Sequence, residues 1–167
     1  MPLPPNRGDG SDEGRTALAV HVASPAGPIL FVTTQLNSAA SASAIRLEQV
    51  DAVADLVARQ RVGSFPPIVT GDFKAQPESD EIRRFEGHLT APAVPGQLLV
   101  DAWRYAEPGR CGLTWNRRNP HVLASLEPSA RIDYIFVGPP EPDRAHPAGR
   151  GRCAVAAHCR RGGGFRH

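Results

Sequence analysis

The sequence predicts an α/β domain, built from β-strands and helices. Three observations carry that prediction. Strand-like runs rich in β-branched and aromatic residues recur at 15–22, 29–34, 67–72 and 131–137. A long amphipathic helix pattern over 41–60 separates the second run from the third. The third run ends on a Gly-Asp step, and the carboxyl end of a strand is where open α/β sheets hold ligands.

In order along the chain, residues 1–14 are rich in Pro, Gly, Asp and Ser, so they are expected to be a disordered leader. In 15–22, Ala17, Ala19 and His21 alternate with Leu18, Val20 and Val22, which predicts a strand. Ser24 to Pro28 reads as a turn. Ile29 to Thr34 is continuously apolar or β-branched and suits a strand buried on both faces. One short turn between two strands predicts an antiparallel hairpin.

Across 41–60, Leu47, Val50, Val53, Ala54 and Val57 form the apolar helix face. Arg46, Glu48, Asp51, Asp55 and Arg59 form the polar one. Ser41 or Ser43 is expected to cap it, and Gly63 with Pro66-Pro67 to end the segment. After the strand at 67–72, Ser79 caps a short helix with Asp80 and Glu81 in its first turn. Leu98–Trp103 and Gly112–Trp115 are weaker strand candidates. Arg131–Val137 is a strong one, with Ile132, Tyr134 and Phe136 on one face. Residues 139–167 hold little to bury and are expected to be a disordered basic tail.

The 167 residues suit one domain. No apolar run reaches membrane-spanning length, and no secretory signal is readable, which makes the cytoplasm the default location. The net charge of +2 is too small to imply nucleic-acid or membrane binding. It divides unevenly: −2 over residues 1–140 and +4 over 141–167. Of the 19 basic residues, 18 are arginines and only Lys74 is a lysine. Three cysteines make no disulfide framework, and Cys153, His158 and Cys159 lack the ligand spacing of a zinc site.

Two carboxylates draw chemical interest. Asp72, at a strand's carboxyl end, could bind a divalent metal, take a proton from water, or simply stabilise a polar turn. Asp133 sits mid-strand, where an unpaired Asp is costly. It either pairs with Arg131 on the same face or orients a catalytic histidine.

The segments TTQLNS, SAIRLEQVDAV, PPIVTGDFKAQPESDEIR, LVDAWR, GLTWN and RIDYIFVG follow one another in that order. Together they resemble the endonuclease/exonuclease/phosphatase superfamily over roughly residues 15–138. The resemblance implies a DNase I-like four-layer α/β sandwich, a mixed β-sheet with flanking helices, of which this chain carries a part, with the first sheet missing. It implies hydrolysis of a phosphoester substrate, nucleic acid among the candidates, with Mg²⁺ or Mn²⁺. By the same resemblance, Asp72 positions or activates the attacking water and contacts the metal, and Asp133 holds the catalytic His. Asp101, Trp103, Thr114 and Trp115 match architectural or substrate-wall positions. Arg46 and Gln49 look structural.

The departures are as informative. Gln35 stands where the family has the His of Thr-His-Leu, and Lys74 where it has the Asn of Gly-Asp-x-Asn. Glutamine can donate a hydrogen bond to phosphate but carries no proton at neutral pH. Lysine offers a point charge instead of an amide. The closing Ser-Asp-His motif is not found: His146, His158 and His167 lie in the tail and none follows an Asp. The early metal-binding Glu is not found either, and Asp9, Asp12 and Glu13 lie in the leader. These losses lead to the expectation of a weak or inactive hydrolase. The alternatives are a phosphate- or nucleic-acid-binding relative without chemistry and a truncated or frameshifted gene product. Half a sandwich would also expose an apolar sheet face led by Ile29, Phe31, Ile68, Ile132 and Tyr134, inviting self-association.

Overall fold

The computed structural model describes residues 1–5, 14–25, 27–63, 65–106, 110–125 and 127–139. Five strands form one sheet: β1 (Ala17–Val22), β2 (Ile29–Gln35), β3 (Ile68–Asp72), β4 (Val100–Asp101) and β5 (Asp133–Val137). Their spatial order is β1-β2-β3-β5-β4. β2 and β3 run parallel, and every other pair is antiparallel. The parallel step needs a crossover, and α1 (Ser43–Gln60) supplies it. The short helices α2 (Asp80–Glu86), α3 (Trp103–Ala106) and α4 (Pro120–Ser125) lie in the connections. The expected hairpin, long helix and mixed sheet are all present.

The core lies on one face of the sheet. Leu30, Val32, Val69, Tyr134 and Phe136 meet Val50, Val53, Ala54 and Val57 of α1 and Ile82 and Phe85 of α2. Phe73, Phe85, Tyr134 and Phe136 form an aromatic cluster with centroid spacings of 5.0–5.6 Å. Ser79 caps α2 as expected, its Oγ accepting from the Ile82 N–H at 3.4 Å.

Several expectations need correction. β2 is buried on one face only: Leu30, Val32 and Thr34 are buried, whereas Ile29 and Phe31 are half-buried and Thr33 exposed. α1 and α2 pack on the buried side. The face left open does carry Ile29, Phe31 and Ile68, half-buried, beside the exposed Leu18, Val20, Val22 and Ile135, but Ile132 and Tyr134 are buried and do not belong to it. No serine caps α1; Ala42 holds the cap position and Ser43 is already helical. Arg46 is buried and pairs with Glu81 of α2 at 3.0 Å, while Leu47 is only half-buried. The strand expected over 98–103 shrinks to two residues. The Asp101 carboxylate accepts the Trp103 N–H at 3.1 Å and turns the chain into α3. Gly112–Trp115 contributes a single bridge, Trp115 to Ala130.

Residues 1–5 of the expected leader are structured. Pro2 bridges to Thr16, and Leu3 is buried in the core. Residues 6–13 and the tail from 140 lie outside the described residues. No helix among the described residues is long and apolar enough to cross a membrane.

Candidate functional site

Three of the residues singled out in the sequence share one rung of the sheet. Gln35 ends β2 and pairs in register with Asp72, which ends β3. Asp72 pairs in turn with Asp133, which begins β5. Adjacent strands lie about 4.8 Å apart, so residues separated by 37 and 61 positions become direct neighbours.

The local sequence explains the rung. Gly71 is needed because a Cβ there would lie 2.2 Å from the Thr34 carbonyl oxygen on β2. Phe73 turns inward, fully buried, and anchors the chain just past Asp72. Its N–H donates to the Ile132 carbonyl at 2.8 Å, and the Leu36 N–H to the Asp72 carbonyl at 2.9 Å. Thr114 Oγ1 accepts from the Ile132 and Asp133 N–H groups at 3.1 and 3.2 Å, fixing the start of β5. Tyr134 offers its hydroxyl proton to the Ala75 and Arg131 carbonyls at 2.8 and 3.1 Å. Burial raises the pKa of this phenol strongly, which keeps it a donor.

Lys74 follows with φ of +52°, the left-handed region that side chains rarely enter. Its ammonium lies 2.8 Å from Asp72 Oδ2 and 5.1 Å from the centroid of the Trp115 ring. Trp115 donates its indole N–H to Glu127 at 2.6 Å.

Two cavities lie close by, one lined by Asp133 and one by Lys74. One, of about 1210 Å³, is lined by Asp133, Ile135, Trp103, Arg110, Arg117 and Arg118 among others. The other, of about 670 Å³, is lined by Lys74, Trp115, Glu78 and Glu127 among others. The paired arginines were not singled out in the sequence, although the Asn116-Arg117-Arg118-Asn119 run was a readable signal.

Below the rung lies a buried ionic network. Asp101 is fully buried, and its carboxylate meets Arg131 at 2.5 Å and Arg104 at 3.5 Å. Arg131 therefore pairs with Asp101, not with Asp133 as its strand position suggested. Asp101 sits on the neighbouring strand's inner side, where Arg131 is also buried. Glu86, fully buried, meets Arg104 at 3.3 Å. Burial raises its carboxyl pKa, and Arg104 and His88 pull it back.

Among the described residues, those around Asp72 do not fit the divalent metal expected there. The Asp72 carboxylate is already bound by the Lys74 ammonium. Among the described residues, no cluster of three or more His, Cys, Asp or Glu side chains could hold an ion. The imidazole expected beside Asp133 is likewise not brought to it. No histidine lines the cavity that Asp133 faces, among the described residues, and His146, His158 and His167 lie outside them.

The family model for the Endonuclease/Exonuclease/phosphatase family matches residues 4–151. The chain belongs to that family. The fold of this family member agrees with solved structures. D. rerio TDP2 complexed with a single-strand DNA product superposes with a TM-score of 0.59 at 20% identity, covering 76% of this chain and 48% of that one. The human Nocturnin catalytic domain with bound sulfate gives 0.52 at 17% identity, covering 76% and 42%. An endonuclease/exonuclease/phosphatase family protein from Bacteroides thetaiotaomicron gives 0.56 at 19% identity, covering 80% and 45%. The family member described here thus spans a little under half the length of these relatives. No curated protein matches it in sequence.

Proposed function

We propose that this chain is a phosphoesterase- and nuclease-like domain that recognises a phosphoester and hydrolyses it weakly or not at all on its own. The observation that carries this reading is the rung of Gln35, Asp72 and Asp133 at the strand ends. The Gln35 amide can donate to a phosphate oxygen, but it cannot shuttle a proton. Asp72 could accept a proton from water only by giving up its lysine. Asp133 has no imidazole to orient among the described residues lining its cavity. Loss of one general acid or base costs about 10²–10⁴ in rate, and groups acting as a unit fail together.

The test is hydrolysis of bis(p-nitrophenyl) phosphate by the full chain with Mg²⁺ or Mn²⁺. Turnover should stay near the Asp72→Ala background. Brisk turnover that depends on Asp72 would overturn the impaired reading.

A second reading is a nucleic-acid-binding domain without chemistry. The cavity carrying Arg110, Arg117, Arg118 and Trp103 beside Asp133 favours it, since guanidinium groups suit phosphates and an indole suits a base. The single-strand DNA product on D. rerio TDP2 makes a single-stranded oligonucleotide the natural probe. Binding should weaken steeply with salt, and Arg117→Ala should lower the salt slope by about one. Salt-insensitive binding, or none, would end this reading. We also propose self-association through the open sheet face, where Leu18, Val20, Val22 and Ile135 are exposed. Light scattering that returns a monomer at all concentrations would contradict that.

A further inference from the structure

Both oxygens of the Asp72 carboxylate are taken by one residue. The Lys74 ammonium holds Oδ2 at 2.8 Å, and the Lys74 backbone N–H donates to Oδ1 at 3.2 Å. The ammonium is held from a second direction by the face of Trp115. Trp115 is in turn fixed by Glu127 and by its bridge to Ala130. The Lys74 and Asp72 side chains are only 18% and 22% exposed, so water screens the pair less than it screens a surface ion pair. Lys74 also holds a left-handed backbone that costs energy in any residue with a Cβ. In a chain that uses arginine 18 times, the one lysine stands here. Its compact point charge is the side-chain cation nearest in shape to a metal ion.

We propose that Lys74 is a built-in counter-ion, occupying the place a divalent cation would take at Asp72, so that the site holds Mg²⁺ or Mn²⁺ only weakly. A dication and an ammonium sharing one half-buried carboxylate repel strongly. To admit the ion, Lys74 must leave both Asp72 and Trp115. The inference rests on the phosphoester reading for the identity of the site, but its test reads metal binding rather than turnover, so the two fail separately.

The test is a Mn²⁺ titration of the full chain, following free Mn²⁺ by electron paramagnetic resonance, with thermal melts to confirm folding. Lys74→Asn and Lys74→Gly remove the ammonium, keep the backbone N–H and accept the left-handed backbone. Each should tighten Mn²⁺ binding by about ten-fold or more, as expected for removing a positive charge at contact range. Lys74→Arg, which keeps the charge, should bind as weakly as wild type. Adding Asp72→Ala to Lys74→Asn should erase the gain. Wild type binding Mn²⁺ as tightly as Lys74→Asn would overturn the proposal. So would two folded neutral variants with no gain, or a gain that survives Asp72→Ala.

Discussion

Replacing Phe73 with alanine probes how the core supports the site. Phe73 is fully buried, and its ring lies 5.1 Å from Phe85, 5.6 Å from Tyr134 and 5.1 Å from Phe136. Those three rings come from α2 and β5, so Phe73 joins the end of β3 to both. Truncating such a side chain costs about 3–5 kcal/mol, the sum of lost transfer energy and the cavity left behind. A domain of this size is stable by about 5–15 kcal/mol, so the loss is a large share of the total. At roughly 3 °C per kcal/mol, the melting temperature should fall by about 10–15 °C. Differential scanning calorimetry of the full chain measures this, with Phe73→Leu as a milder control. A fall of less than about 3 °C would refute the assignment of Phe73 as the hub, because its three ring contacts would then hold little.

Two further outcomes follow from the buried charges. Asp101→Asn should destabilise by about 3–5 kcal/mol in urea unfolding, since it leaves the buried Arg131 without its counter-charge; a loss under about 1 kcal/mol would contradict this. Glu86 has a raised folded pKa, so the folded chain holds its proton more tightly than the unfolded chain does. Stability should therefore fall as pH rises from about 4.3, the ordinary glutamate value, through the raised folded pKa. Glu86→Gln should lose less melting temperature over that window, and a wild-type-to-variant difference that stays constant with pH would count against the assignment.

The strands and α1 were legible because their signals are local. β-branched runs mark β2 and β5, and a 3.6-residue period marks α1. Asp72, Asp133 and Gln35 were legible as candidates from the ordered motifs, but their common rung is a matter of register. No local pattern carries the pairing of positions 35, 72 and 133. Arg46 looked solvent-facing because its partner Glu81 lies on another helix, 35 positions away. Asp133 was the acid in view for Arg131, and only the fold shows that Asp101, 30 positions away, shares its buried side. Leu3 is a lone apolar residue among prolines, so no periodicity announced its burial. The run of β2 alone suggested burial on both faces because Ile29 and Phe31 are apolar whether or not a second layer meets them; only the missing first sheet pointed to an open face, and Ile29 and Phe31 do lie on it.

The measurement closest to the central claim is an ammonium-selective ¹H–¹⁵N spectrum of the full chain. Lys74 is the only lysine, so a single Nζ resonance reports the site without assignment. We expect one exchange-protected signal, unchanged by Mg²⁺ and lost to rapid exchange in Asp72→Ala. A signal that is exchange-broadened in the wild type, or that Mg²⁺ displaces, would show Asp72 free for the metal and contradict Lys74 as its counter-ion.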